Sequence, residues 1–397
     1  MRILVASPFL PHPEATHGGA VYLGSFLAGL TQHAEVGLVS FLRPSEIRWQ
    51  SQPTQGLAFS QAITLPQRYD LSRRQMLVHH ARMLWRWGAQ GKPLVAAKFW
   101  TPAMADLLRR VGQRFRPDVV LVEFSIMAQY LDALQDWPTV LTDHEHGQGG
   151  STAIAGTNMG RARDRRLWLQ YVRAHYPKAT LVQALTEPDA ERLQQVLGRP
   201  VGVRPPVVLL PAVPVDPGSA PARAVFLGDY THHPNPETAT FLARELWPRV
   251  RRKSPQAELL LAGPRASGDV KSLGDLPGIR FVGYVQDLRD LFTQARCLVA
   301  PAFSGAGSRI KVFTALGYGI PVIANGLGLR GVSAPEGAVR RHEELESLTR
   351  STVELLQHAD IAARDGRTAR QWALAHLSPS QAAAAQIATI QAALQTR

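Results

Sequence analysis

The feature that most constrains this chain is a pattern that runs twice: short, continuously apolar runs, each followed by a segment of helical periodicity, with a proline-rich break between the two sets. In the first half the apolar runs are ILVAS (3–7), EVGLVSF (35–41), VVLVEF (119–124), TVLTDHE (139–145) and TLVQAL (180–185), and a helix is expected after Gly19. A strand buried on one face alternates apolar and polar residues. A strand buried on both faces does not, and it belongs to a parallel sheet covered by helices. The first half therefore reads as a doubly wound α/β lobe. Thr186-Glu187-Pro188-Asp189 reads as a helix start, with a capping hydroxyl, a proline in the first turn and an acid near the positive end.

The break is PAVPVDPGSAPARA (211–224), too rich in Pro, Gly and Ala to hold a regular element for long. After it the pattern restarts with AVFLGD (224–229), a helix over about 237–252, ELLLAG (258–263), IRFVGYV (279–285), a helix near 287–295, CLVAPA (297–302) and PVIAN (321–325). Three helical segments follow from about 342 onward, the last being QAAAAQIATIQAAL. The expected organisation is a Rossmann-like domain over 1–210, a linker over 211–223, a second Rossmann-like domain over 224–375, and a C-terminal helix over 376–397 packing back on the first domain. A length of 397 residues agrees, since single cores stop growing near roughly 250–300 residues.

Charge and cysteine content narrow the function classes. The excess of 44 basic over 31 acidic residues favours an anionic partner, but only six of the basic residues are Lys and the rest are Arg, a balance that coding bias also produces. No nucleic-acid partner is expected. The lone Cys297 leaves no intrachain disulfide and no cysteine-rich zinc site, and no run reaches the ~18 apolar residues of a membrane span, so a cytoplasmic protein is expected. Peripheral contact with the inner face of the plasma membrane is the one exception considered. The segment 73–116 interleaves Arg73, Arg74, Arg82, Arg86, Lys92 and Arg109 with Trp85, Trp87, Phe99 and Trp100, which suits either an anionic membrane surface or an ordinary helix with a Trp-anchored core face.

Ligands of doubly wound sheets bind beyond the carboxyl ends of the strands, so the residues just after each strand carry the chemistry. Ser304-Gly305-Ala306-Gly307-Ser308-Arg309-Ile310-Lys311 follows CLVAPA and opens a helix. Gly305 and Gly307 let the backbone approach a ligand, Ser308 is a capping side chain, and the helix start with Arg309 and Lys311 makes an anion site. A plain glycine turn with two solvated cations has the same pattern. Thr16-His17-Gly18-Gly19-Ala20, after the first strand, is not a GxGxxG fingerprint and fits either a diphosphate or a flexible turn. In Asp143-His144-Glu145-His146 neighbouring side chains point to opposite faces of a strand, which favours, over a metal site, either one His contacting a sugar or moving a proton or a structural hydrogen-bonding role. Phe281-Val282-Gly283-Tyr284-Val285, followed by Asp287, either admits a flat base or is an ordinary core strand. Glu123, ending VVLVEF, faces the same choice between a cleft role and binding nearby amides or Arg.

Taken in order, MRILVASPFLP with the HGG turn, His144, FLGD…PN…LWPRV (226–250), ELLLAG, GIRFVGYVQDL and AGSRIKVFTALGYGIPVIA resemble the retaining GT-B glycosyltransferases of family GT4 over nearly the whole chain. The resemblance implies two Rossmann-like domains facing across a cleft. A nucleoside diphosphate sugar would sit mainly on the second and an acceptor (glycan, lipid-linked or small-molecule) on the first. A hexose would be transferred with retention, and no metal or cofactor is required. Carried over residue by residue, Gly18 and Gly19 approach the diphosphate, His144 the donor sugar, Tyr284 and Val285 the base, and Ser308 and Arg309 the phosphates. Gly228, Gly305, Gly307 and Thr314 complete the donor side, and His144, Arg309 and Lys311 form the catalytic set.

Two departures stand out. Many members carry two glutamates spaced by seven residues, for the donor hydroxyls and the ribose, where this chain has Ala306 and Thr314. Members also commonly place a basic residue after FLGD, where this chain continues Tyr230-Thr231-His232-His233-Pro234-Asn235, so Arg309 and Lys311 are expected to carry more of the phosphate binding. The missing carboxylates leave open a catalytically silent GT-B protein that binds a nucleotide or partner, and a GT-B epimerase or phosphorylase as a further alternative.

Overall fold

The computed structural model describes residues 1–12, 15, 18–43, 46–50, 54–65, 72–144, 158–305 and 309–395. The first lobe contains β1 (Arg2–Ser7), β2 (Glu35–Leu42), β3 (Phe59–Thr64), β4 (Val119–Glu123), β5 (Thr139–Asp143), β6 (Leu181–Ala184) and β7 (Gly202–Val203). They form one parallel sheet in the order β3-β2-β1-β4-β5-β6-β7. The central strands β4 and β5 are buried along their whole length, which is why their sequences carry no polar alternation. The edge strand β3, FSQAIT, is partly exposed throughout, and its polar content hides it from an apolar-run reading.

The second lobe repeats the plan with β8 (Arg223–Leu227), β9 (Glu258–Ala262), β10 (Ile279–Gly283), β11 (Cys297–Val299), β12 (Val322–Ala324) and β13 (Val339–Arg341). The order is β10-β9-β8-β11-β12-β13, again all parallel. In each sheet the chain leaves the centre in one direction and later returns to build the other half. The switch points lie between β1 and β4 and between β8 and β11. A crevice opens beyond the carboxyl ends of the strands at such a point because the two flanking loops diverge to opposite faces.

Helices bring the two lobes together. The first helix, Gly18–Leu30, runs directly after β1, and a Cβ added at Gly18 would sit 3.4 Å from Ile310 Cβ of the second lobe. The helix Glu187–Leu197 starts at Thr186, whose hydroxyl donates to Asp189 Oδ2 at 2.5 Å in place of the expected cap to a backbone N–H. Asp189 in turn pairs with Arg330 of the second lobe at 2.5 Å. The final helix, Pro379–Gln395, returns to the first lobe, where Ala383 and Ile390 join its core and Ser380 Oγ lies 2.8 Å from His33 Nε2. Among the described residues no helix is long and apolar enough to cross a membrane.

Candidate active site

Both switch points open into one cavity of about 1840 Å³ between the lobes. Pro8 and Phe9 after β1, Phe124 after β4, Gly228 after β8, and Ala300 to Ala302 after β11 all line it. The topology alone therefore brings four loop starts from two sheets to one place.

On the second-lobe side the helix Ile310–Tyr318 points its N-terminus at the cavity, with Arg309 as the residue before its first turn. Lys311 Nζ donates to Asn235 Oδ1 at 2.6 Å and lies 4.3 Å from the centre of the Phe226 ring. Asn235 is held by its own amide, which donates to the Asp229 carbonyl at 2.7 Å. A Cβ at Gly228 would fall 2.6 Å from the Asn235 side chain, so only glycine lets β8 end against it. Arg309 donates from Nε to the Leu327 carbonyl at 3.0 Å. Among the described residues neither Lys311 nor Arg309 has a carboxylate within ion-pair distance. Burial, with Arg309 close by, pulls the Lys311 pKa down to about 7, and burial also lowers that of Arg309. Two under-compensated cations at a helix N-terminus form a site that gains by taking up an anion.

On the first-lobe side stands His144, just after β5. Its Nε2 lies 2.8 Å from Glu123 Oε2, and its ring stacks on Phe124 with centroids 3.7 Å apart. Phe124 holds φ at +73°, a strained conformation for a bulky residue, at the turn where its ring meets His144. Glu123 is fully buried and is gripped bidentately by Arg204, with Nη1 to Oε1 at 2.8 Å and Nη2 to Oε2 at 2.6 Å. Arg204 also donates from Nε to the Tyr22 hydroxyl at 2.9 Å. Although burial pushes a carboxyl upward, Arg204 and His144 together hold Glu123 down at about 2. An ionised carboxylate only accepts, so His144 must carry its proton on Nε2 and keep the Nδ1 lone pair for another partner. Burial lowers the His144 pKa against the pull of Glu123, which keeps the ring neutral.

The sequence-derived candidates His144, Arg309, Lys311, Gly18, Gly19, Gly228, Tyr284, Val285 and Thr314 all line this cavity. Gly19 faces Phe124 and Phe9, where a Cβ would come within 2.8 Å of Phe124 Cζ. Tyr284 is about half exposed, and Val285 packs on the second-lobe core beside it. Gly305 does not line the cavity; its carbonyl accepts Arg309 Nη2 at 3.4 Å. Gly307, Ser308 and Ala306 lie outside the described residues, as do Thr16, His17, Glu145 and His146. Asp143 turns away from His144 and accepts the Tyr176 hydroxyl at 2.8 Å. Two residues were missed from the sequence. Asn235 was only part of a motif, and Arg204 carries one signal, a single cation in VGVRPP directly after an apolar pair.

Residues 221–358, most of the second lobe, match the family model described as glycosyl transferases group 1. No curated protein matches the chain significantly. Among solved structures, sucrose-phosphate synthase from Thermosynechococcus elongatus matches over 100% of both chains with a TM-score of 0.69 at 15% identity. HepE of Anabaena in complex with UDP-glucose matches over 98% of this chain and 100% of its own, with a TM-score of 0.62 at 13% identity. A Listeria monocytogenes protein described as a UDP-N-acetylglucosamine 2-epimerase matches over 100% and 98%, with a TM-score of 0.56 at 14% identity. The fold is thus GT-B, two Rossmann-like doubly wound domains facing across a cleft.

Proposed function

We propose that this chain, which carries a glycosyl transferases group 1 domain at residues 221–358, is a retaining glycosyltransferase that moves a hexose from a nucleoside diphosphate sugar to a glycan, lipid-linked or small-molecule acceptor. The observation that carries the reading is Lys311, a buried cation tied to Asn235 with no described carboxylate partner, beside Arg309 at a helix N-terminus. A diphosphate supplies the missing charge. As the glycosidic bond breaks, negative charge builds on the leaving diphosphate, and cations already fixed in place stabilise that charge without reorganising.

The sugar would lie between this anion site and His144. With Nε2 committed to Glu123, His144 Nδ1 accepts from a donor-sugar hydroxyl and fixes the ring's orientation. Tyr284 and Val285 flank the base, and the acceptor approaches from the first-lobe wall formed by residues such as Phe9, Trp49 and Phe99. That HepE, of like fold, binds UDP-glucose supports a nucleotide sugar as the donor class. Retention of configuration, membership of GT4 and independence of metal rest on the sequence resemblance.

Thr314 favours a second reading. It lines the cavity where the resemblance places a ribose-binding carboxylate, as a catalytically silent nucleotide-binding protein would tolerate. Single-turnover incubation with UDP-, GDP- and ADP-sugars separates the two. The transferase reading expects nucleoside diphosphate release that falls by about 10²–10³-fold in His144→Ala, and loss of the nucleotide-dependent thermal shift in Arg309→Ala. Nucleotide binding without release from any donor establishes the silent protein instead, and an unchanged thermal shift in Arg309→Ala removes the assigned phosphate site.

A further inference from the structure

The helix Arg73–Gly88 has no buried residue, although a capping box between Ser72 and Gln75 closes its N-terminus. Helices of this length are marginal in water alone and gain most of their stability by burying one face. The inner face does meet the protein: Met76, His79, Met83 and Arg86 are partly buried, and Arg86 donates to the carbonyls of Ala97 and Trp100 at 3.1 and 2.9 Å. The outer face carries Leu77, Val78, Leu84 and Trp85, which are 67, 48, 53 and 58% exposed. With Ala81 these side chains fall within one arc of about 120° around the helix axis. Arg73 and Arg82 border that arc on either side, Arg74 stands within it at its N-terminal end, and the helix contains no acidic residue.

Single exposed apolar residues are ordinary, whereas four large ones sharing a helix face mark a contact surface. The neighbouring helix Asn158–His175 meets its C-terminal end. Trp87 Nε1 donates to Asp164 Oδ1 at 3.1 Å and Arg163 donates to the Gly88 carbonyl at 2.8 Å, which joins the two helices. Met159 there is 84% exposed, and Arg165 and Arg166 are exposed further along the same helix. By contrast, the remaining aromatics of the 73–116 segment are committed inward: Phe99 is buried, Trp87 sits under Arg163, and Trp100 carries Lys92 over its ring at 4.4 Å.

We propose that the outer face of Arg73–Gly88 docks on an anionic lipid bilayer. The charge pattern selects this occupant. An apolar stripe rimmed by Arg73 and Arg82, headed by Arg74 and free of carboxylates fits the acyl boundary and the phosphate layer at once, as an interfacial helix does. The short helix Leu94–Phe99 packs directly against this one and places Val95 and Phe99 in the cavity wall. Docking therefore sets the first-lobe side of the cavity beside the bilayer, within reach of a lipid-anchored acceptor. That last consequence rests on the transferase reading; the docking does not.

Co-sedimentation of the full chain with vesicles tests it, using phosphatidylcholine alone and phosphatidylcholine mixed with phosphatidylglycerol, at low and high salt. Wild type should pellet with the mixed vesicles at low salt, and far less with phosphatidylcholine alone or at high salt. Leu77→Glu with Trp85→Glu should lower partitioning by at least about tenfold, because apolar area is lost and like charge is added. Arg73→Glu with Arg82→Glu should do the same without touching the apolar stripe. Thermal melts and the nucleotide-dependent shift of both variants should match wild type, which separates lost docking from lost folding and from a failed nucleotide site. The proposal is overturned if wild type does not pellet at low salt, if it pellets equally with both lipids, or if the variants pellet like wild type. It is also overturned if light scattering shows a wild-type dimer that Trp85→Glu dissolves while vesicle binding is absent, since a second copy of the chain then covers the face.

Discussion

Lys311 Nζ donates to Asn235 Oδ1 at 2.6 Å, a contact that spans 76 residues of sequence and joins the helix after β11 to the helix after β8. It fixes the cation where both loops end at the cavity. An amide oxygen offers a partial charge, so the ammonium is oriented but under-compensated, and burial, with Arg309 close by, lowers its pKa from 10.5 to about 7.

Nucleotide affinity should therefore depend on pH with a defined sign. A bound diphosphate favours the charged ammonium and raises its pKa, so from about pH 7 up to that raised value binding takes up a proton and weakens as pH rises, by at most about tenfold per unit. In the empty protein the unfolded chain binds the proton more readily, so stability rises with pH between about 7 and 10.5. Titration calorimetry of UDP in two buffers of different ionisation enthalpy should show proton uptake near pH 8. Lys311→Met should abolish that uptake, weaken binding at pH 6, and raise the melting midpoint of the empty protein at pH 6 by removing a buried charge.

The Glu123–Arg204 pair should behave as a unit. Arg204→Met leaves a buried carboxylate without its partner and should cost about 3–5 kcal/mol, while Glu123→Leu with Arg204→Met together should cost less than either change alone. The double variant should still transfer sugar poorly, because His144 has lost the acceptor that sets its tautomer. Denaturant unfolding of the three variants, paired with donor turnover, checks both halves. With Glu123 lowered from 4.5 to about 2, its contribution in wild type is complete above pH 4.5 and is lost as pH falls from there towards 2.

What could be read in the sequence divides along physical lines. β1, β4, β5, β8 and β9 were legible because strands buried on both faces are apolar without interruption. β3 is a polar edge, β7 is only two residues long, and β13 is a second edge whose sequence VRR carries two arginines, so no apolar run marks any of them. Arg309 and Lys311 were legible because a glycine turn, a helix start and two cations are adjacent in the chain. Arg204 and Asn235 were not: each acts through a partner at least 76 residues away, 81 in the case of Glu123, and contacts at that range leave no spacing to read.

Arg330 pairs with Asp189 across the lobes and stands close enough to Arg309 to lower its pKa. Arg330→Gln should release this latch. Small-angle scattering of the nucleotide-free protein should show a larger radius of gyration, and kcat/KM should fall by roughly tenfold while His144, Arg309 and Lys311 stay in place. An unchanged scattering profile means that the contact between Gly18 and Ile310 holds the lobes without the ion pair.

Thr314 stands one turn after Lys311 on the helix Ile310–Tyr318, and both side chains line the cavity. Residues three apart share a helix face, so a carboxylate at 314 would face the ammonium and, if the donor lies as proposed, the ribose. Wild type, with a hydroxyl there, should bind UDP and 2′-deoxy-UDP within about threefold of each other, because no charged acceptor rewards the 2′-hydroxyl. Thr314→Glu should separate the two ligands by about tenfold or more in favour of UDP. The same substitution should lift the Lys311 pKa above 7 and flatten the pH dependence of binding, since an opposite charge nearby favours the ammonium. The two readouts are independent. A flattened pH profile without ribose discrimination places Thr314 beside the phosphates but away from the ribose, and discrimination already present in wild type means that another group holds the 2′-hydroxyl.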